Sequence, residues 1–163
     1  MKKFKFLFLL VLFLGCIWYT NTLEQQEVAT NELELQNDSG ENFSKVLLYF
    51  LNSKNELVPE YRFVSLDDLK ADMLKLIVTE LLKGPRVEEN KSALPDGVEL
   101  ISTEVRDNVA SVNFSKEFIP QGEGEANRLA KISAVVNTLT EIKEIDTVEI
   151  LIEGEVYEVR GRI

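Results

Sequence analysis

Residues 98–115 read VELISTEVRDNVASVNFS. Two strand-forming runs, Val98–Arg106 and Val109–Ser115, flank the pair Asp107-Asn108. Both residues of that pair tolerate left-handed φ, which predicts a two-residue hairpin loop. In the return strand Ala110, Val112 and Phe114 alternate with Ser111 and Asn113. That period of two gives one dry face and one wet face, so a covering layer has to come from elsewhere in the chain.

The flanking segments supply it. Upstream, Lys45–Leu51 is a continuous apolar run, β-branched and aromatic, predicted as a strand buried on both faces. Asn52-Ser53-Lys54-Asn55 reads as a turn and Tyr61–Val64 as a second, shorter strand. Ser65 stands at an N-cap position with Asp68 three residues on, and Asp67 and Asp68 suit the positive end of a helix. Leu66, Leu69, Met73, Ile77 and Leu81 then recur at three- and four-residue steps as one apolar stripe. Lys83-Gly84-Pro85 ends that helix, and Leu94-Pro95-Asp96-Gly97 is a tight turn. Downstream, a second helix from about Ala126 to Glu144 carries Leu129, Ile132, Val136, Leu139 and Ile142 on one face. Thr147–Glu153 is the last clear strand, with Val148, Ile150 and Ile152 on one side, and Tyr157–Arg160 adds an edge strand guarded by Glu158 and Arg160. The order β-β-α-β-β-α-β predicts an α+β fold, a single domain with a mixed β-sheet of about four to five strands and two α-helices packed on one face.

The N-terminus has a different character. Lys2, Lys3 and Lys5 precede an apolar run from Phe6 to Leu14, which ends in Gly15 and the chain's single cysteine, Cys16. This is the layout of a secretory signal, and a cysteine just after the cut makes Cys16 the candidate site of lipid (palmitate) attachment. Phe13 and Leu14 are bulkier than the usual residues of a lipoprotein cleavage site, so an uncleaved N-terminal anchor and ordinary cleavage elsewhere are the alternatives. The 14 apolar residues Phe6–Tyr19 make roughly 21 Å of helix, short of the ~30 Å hydrocarbon core. Residues 17–43 read as an acidic flexible linker with six acidic residues and no basic one. A short helix around Leu23–Leu35 is the alternative there. The expected organisation is therefore signal 1–16, linker 17–43 and folded domain 44–163, with the domain outside the cytoplasm.

Charge and residue types narrow the function. The formal net charge is −10, and removal of Lys2, Lys3 and Lys5 leaves 15 basic against 28 acidic side chains, a net of −13. Such a chain repels nucleic acid, so no nucleic-acid partner is expected. One cysteine allows no disulfide framework, and hydrophobic content of 45 % is that of a domain held by its core. Without histidine there is no Ser-His-Asp or Cys-His nucleophile system and no histidine metal site. Carboxylate pairs remain: Glu99, Glu104, Glu117 and Glu123 are the candidates for glycosidic cleavage, which needs two carboxyls roughly 5–9 Å apart. As solvated strand and loop charges they do nothing chemical, and that is the favoured reading. Gly122-Glu123-Gly124-Glu125 has two glycines, two carboxylates and no lysine, so it repels phosphate. Asn37–Glu41 is too short for a calcium loop. Tyr49, Tyr61 and Phe118 are candidates for stacking against glycan, and otherwise for the core or its rim.

The pieces LYFLN, TELLKGP, LPDGVELISTEVRDNVASVNFSKEF and AVVNTLTEIKEIDTVEILIEGE, in this order from about Lys45 to Glu155, resemble the GerMN domain of sporulation and germination lipoproteins. The resemblance implies an α+β interaction module without catalytic residues or cofactor. Gly84, Pro85, Pro95, Gly97 and Gly154 match the family's turn and cap positions, and the residues themselves read the same way. The expected function is a membrane-tethered, non-catalytic scaffold of the bacterial envelope, linked to sporulation or germination. Its partners are envelope or membrane proteins, with a homo-oligomer allowed. The alternative is extracytoplasmic binding of cell-wall glycan or peptide.

Overall fold

The computed structural model describes residues 42–161, all within one compact unit. The signal, Cys16, residues 17–41 of the linker and the Asn37–Glu41 segment lie outside the described residues. The elements in chain order are β1 (Phe43–Leu51), β2 (Leu57–Ser65), α1 (Leu66–Ala71), α2 (Met73–Leu82), β3 (Leu100–Arg106), β4 (Val109–Phe114), a 3-10 turn (Lys116–Phe118), α3 (Glu125–Thr140), β5 (Thr147–Ile152) and β6 (Glu155–Gly161).

The α+β class is as expected, but the strands divide between two sheets. β3, β4, β5 and β6 form a mixed sheet in that order, with β4 and β5 parallel and the outer pairs antiparallel. β1 and β2 form a separate antiparallel ribbon. The reason lies at the free edge of β1. Leu51 exchanges backbone hydrogen bonds with Lys91, and the Tyr49 N–H donates to the Thr138 hydroxyl at 3.0 Å. Those groups occupy the edge of β1 away from β2, so no further strand pairs there along Tyr49–Leu51.

The helical segment also differs. Asp72 adopts φ −159°, which breaks the predicted single helix into α1 and α2, and its carboxylate caps α2 by accepting from the Lys75 N–H at 3.1 Å. Leu69, Ile77 and Leu81 still face the core, whereas Met73, at the first turn of α2, is exposed. Ser65 caps α1 as read from the sequence, accepting from the Asp68 N–H at 3.4 Å. The turns follow their residue types. Asp107 and Asn108 have φ of 50° and 62°, and Glu153 and Gly154 repeat the device between β5 and β6 at 52° and 88°.

The core is one cluster. Ala110, Val112 and Phe114 of β4 lie beside Val148, Ile150 and Ile152 of β5 in a parallel register. The long crossover through α3 is what a parallel neighbour requires. Ile132, Val135, Val136 and Leu139 of α3, Ile77, Val78 and Leu81 of α2, and Val46, Leu48 and Phe50 of β1 pack in the same cluster. Phe118 stacks on Phe114 with ring centroids 4.8 Å apart and meets Tyr157 edge-on at 6.0 Å.

Phe114→Ala is expected to lower the unfolding free energy by about 3–5 kcal/mol in a urea titration. Val159→Ala, at an exposed site on β6, should stay within about 0.5 kcal/mol of the parent.

Candidate functional site

The site begins with an inversion in β2. Residues two apart share a face of a strand. Glu60, Arg62 and Val64 point inward and are buried, while Pro59, Tyr61 and Phe63 are exposed. A strand with charges inside and aromatics outside needs those charges paired, and both terminal nitrogens of Arg62 are, although its Nε is buried with no hydrogen-bond partner among the described residues. Arg62, 1 % exposed, donates from Nη1 to the Glu80 carbonyl at 2.8 Å and the Glu80 carboxylate at 3.3 Å. From Nη2 it donates to the Glu60 carboxylate at 2.8 Å and the Gly84 carbonyl at 2.9 Å. Its guanidinium carbon lies 5.7 Å from the centre of the Phe50 ring.

The two carboxylates have further donors. Glu60 accepts from the Arg86 and Val87 N–H groups at 2.8 and 3.3 Å, and Glu80 from Lys83 Nζ at 2.5 Å. Burial pushes both carboxyls up. The backbone donors and Arg62 around Glu60, and Lys83 and Arg62 around Glu80, outweigh it and hold both below their ordinary value of 4.5. The network therefore pins β2, α2 and the Gly84-Pro85 turn together. Gly84 takes φ +78°, a conformation that favours glycine.

The outward face of the ribbon is the open surface. Its cross-strand pairs are Lys45 with Phe63, Leu47 with Tyr61, and Tyr49 with Pro59. Lys45 Nζ sits 4.2 Å from the centre of the Tyr61 ring, a cation–π contact. At one end a groove of about 340 Å³ runs against the helices, with Leu47, Leu69, Ile77 and Ile142 as its apolar part and Lys45, Tyr61, Met73 and Glu141 among its other walls. Tyr61, Phe63 and Met73 are 61 %, 45 % and 41 % exposed. The Tyr49 hydroxyl donates to Glu141 at 2.9 Å, and burial together with that carboxylate pushes the phenol up, so it stays neutral and donating.

The carboxylates singled out in the sequence do not converge here. Glu99 precedes β3 and uses its backbone, its N–H donating to the Ser115 hydroxyl at 3.0 Å. Glu104, on β3, pairs with Arg106 at 2.5 Å. Glu117 sits on the 3-10 turn, held low first by the Ser115 hydroxyl. Glu123 pairs at 2.7 Å with Lys131, a fully buried lysine on α3 that also donates to the Phe118 carbonyl. None of the four lines the groove. Of the aromatic candidates, Tyr49 and Tyr61 share the ribbon's outward face, whereas Phe118 is fully buried and offers no stacking surface. Among the described residues no three His, Cys, Asp or Glu side chains gather as a metal site.

Arg62→Met leaves Glu60 and Glu80 buried without their shared cation, and is expected to cost about 3–5 kcal/mol at pH 7. The pH response separates this from a cavity effect. In the parent, both carboxyls have lowered native pKa values, so their contribution is full above about 4.5 and fades as pH falls through the native values. In the variant, protonation relieves the stranded charges, so the deficit narrows toward acid pH. Urea titrations across pH check both slopes, and a deficit independent of pH contradicts the assignment.

The pinned turn and all of the open face but Lys45 lie within the region that matches a known family. Residues 47–158 match the family profile named Germane, described as sporulation and spore germination. Several solved structures are similar in fold. The tandem GerMN domains of the sporulation protein GerM from Bacillus subtilis align with a TM-score of 0.61 at 21 % identity, covering 81 % of this chain and 49 % of that one. This chain thus spans about half of that tandem chain. The first GerMN domain of the same protein aligns with a TM-score of 0.56 at 20 % identity, over 70 % and 86 % of the two chains. A candidate lipoprotein from Clostridium perfringens aligns with a TM-score of 0.51 at 22 % identity, over 73 % and 87 %. No curated protein sequence matches the chain. The profile spans most of the sequence, including β2, most of β1, α1–α3 and the β4–β5 core, and the chain belongs to the Germane, or GerMN, family of sporulation and spore germination domains.

Proposed function

We propose that this protein is a membrane-tethered, non-catalytic interaction module on the extracytoplasmic face of the bacterial membrane, acting in sporulation or germination through contacts with envelope proteins. The observation that carries the reading is the outward face of the β1–β2 ribbon. There Tyr61 and Phe63 stand exposed, and Tyr61 joins the exposed Met73 of α2 at a groove with apolar and polar walls. Exposed aromatic and methionine side chains around a groove are the composition of a contact surface. Family membership supplies the link to sporulation and germination.

The tether rests on the sequence. Lys2, Lys3, Lys5, the apolar run Phe6–Leu14 and Gly15-Cys16 form the signal, and Cys16 carries the lipid. A lipoprotein assignment for one structural neighbour points the same way. Among the described residues no helix is long and apolar enough to cross a membrane. A second reading, binding of cell-wall glycan or peptide, has one observation in its favour. Tyr61, Thr138 and Glu141 combine an aromatic ring with hydrogen-bonding groups at one groove, as sugar-binding sites do.

Growth of the bacterium with labelled palmitate checks the anchor. The parent should carry label and sediment with membranes, and Cys16→Ala should lose the label. Label retained in Cys16→Ala rules out the lipid site, and parent protein recovered from cytosol rules out the location.

A further inference from the structure

Among the described residues, no strand lies beside the outer edge of β2. In an antiparallel ladder, alternate residues turn their N–H and C=O groups toward the neighbouring strand and away from it. Tyr49 and Leu51 point theirs away from β2, to Thr138 and Lys91, and on the other parity Leu66 donates to the Asn42 carbonyl. Their register partners therefore point away from β1. On β2 these are Leu57, Pro59, Tyr61 and Phe63. Pro59 has no N–H to offer, so pairing stops there on one side, and α1 begins after Ser65 on the other. The usable edge is Tyr61–Ser65. It lacks the protections that edge strands usually carry: no outward charge of its own, no bulge, no covering segment among the described residues. Its only charged side chain, Arg62, is turned inward and neutralised.

We propose that this edge pairs with the same edge of a second copy, antiparallel about Phe63, so that two ribbons join as one four-stranded sheet. Three features favour a second copy over another chain. An antiparallel strand is its own complement under a two-fold axis, so both partners gain the same bonds. The open edge is five residues, Tyr61–Ser65, and its centre, Phe63, lies opposite itself while Tyr61 lies opposite the partner's Ser65. On a chain of net charge −10, this strip brings no acidic side chain to the seam, so two copies meet there without like-charge contact. The two Phe63 rings then lie side by side on the outward face, continuous with each Tyr61–Lys45 stack. The inference deepens the interaction-module reading by naming its partner, and membrane tethering would raise the local concentration of copies.

Disulfide trapping in the full chain tests it. Phe63 and its symmetry mate would have Cα atoms about 5.5 Å apart, inside the roughly 4.4–6.8 Å range of a disulfide. Mild oxidation of membranes carrying Phe63→Cys should give a covalent dimer of the chain. Asn55→Cys, at the far turn of the ribbon, and the parent with Cys16 alone should give none. Separately, Phe63→Lys, a charge on a surface side chain, should reduce chemical cross-linking of the otherwise native chain about tenfold or more, with an unchanged circular dichroism spectrum. No dimer with Phe63→Cys, equal dimer with Asn55→Cys, or a cross-link from Phe63→Cys to a polypeptide of different mass overturns the pairing. The palmitate experiment has a separate readout, so loss of the tether reading and loss of the dimer are distinguishable.

Discussion

The guanidinium of Arg62 organises this domain. It is buried, it makes four hydrogen bonds, and its partners come from β2, α2 and the turn after α2. A cation so placed is costly to desolvate and holds only when its partners are all in place. One consequence is local: Glu60 and Arg62 must face inward together, since they are two residues apart on a strand. The other is felt at the surface. With the inward positions of β2 given to charges, Tyr61 and Phe63 are turned out to solvent. The ion network and the open aromatic face are two sides of one register.

That register explains where reading the sequence succeeds and where it stops. The hairpin at Asp107-Asn108, the Ser65 cap and the stop at Lys83-Gly84-Pro85 each rest on local backbone chemistry, and each is found. The α3 stripe rests on periodicity and packs into the core. β2 resists such reading because its hydrophobic pattern points the wrong way: Tyr61 and Phe63 look like core, and Arg62 looks like surface. The spacing of Glu60, Arg62 and Val64 on one strand face is the signal that was present, but its partners Glu80 and Gly84 lie some twenty residues on. Lys131 is hidden for the same reason, since a lysine in a helix reads as solvated until Glu123 and the Phe118 carbonyl are seen around it. The break at Asp72 is legible only in hindsight, as an N-cap residue type inside an apolar stripe.

The candidate chemistry sorts along the same line. Glu104 and Glu123 form ion pairs with Arg106 and Lys131, on separate elements. Tyr49 and Tyr61 instead come together because strand register puts them diagonally on one face. The surface of this domain is therefore uneven in a useful way. Its carboxylates repel other anions, while the Tyr61–Ser65 edge of β2 turns its one charge inward and, among the described residues, has no covering segment.

The placement of β5 has a consequence for the order of events in folding. It pairs with both β4 and β6, yet it begins only at Thr147, late in the chain. Strand pairings joined by a long crossover form slowly, because the connecting chain must be closed before any contact rewards it. A nascent polypeptide that ends before Thr147 has the ribbon and the β3–β4 hairpin but leaves Ala110, Val112 and Phe114 without their parallel neighbour. Such a chain stays loose until Thr147–Ile152 is free to pair, so the hairpin and the ribbon wait on a strand that lies far from them in sequence.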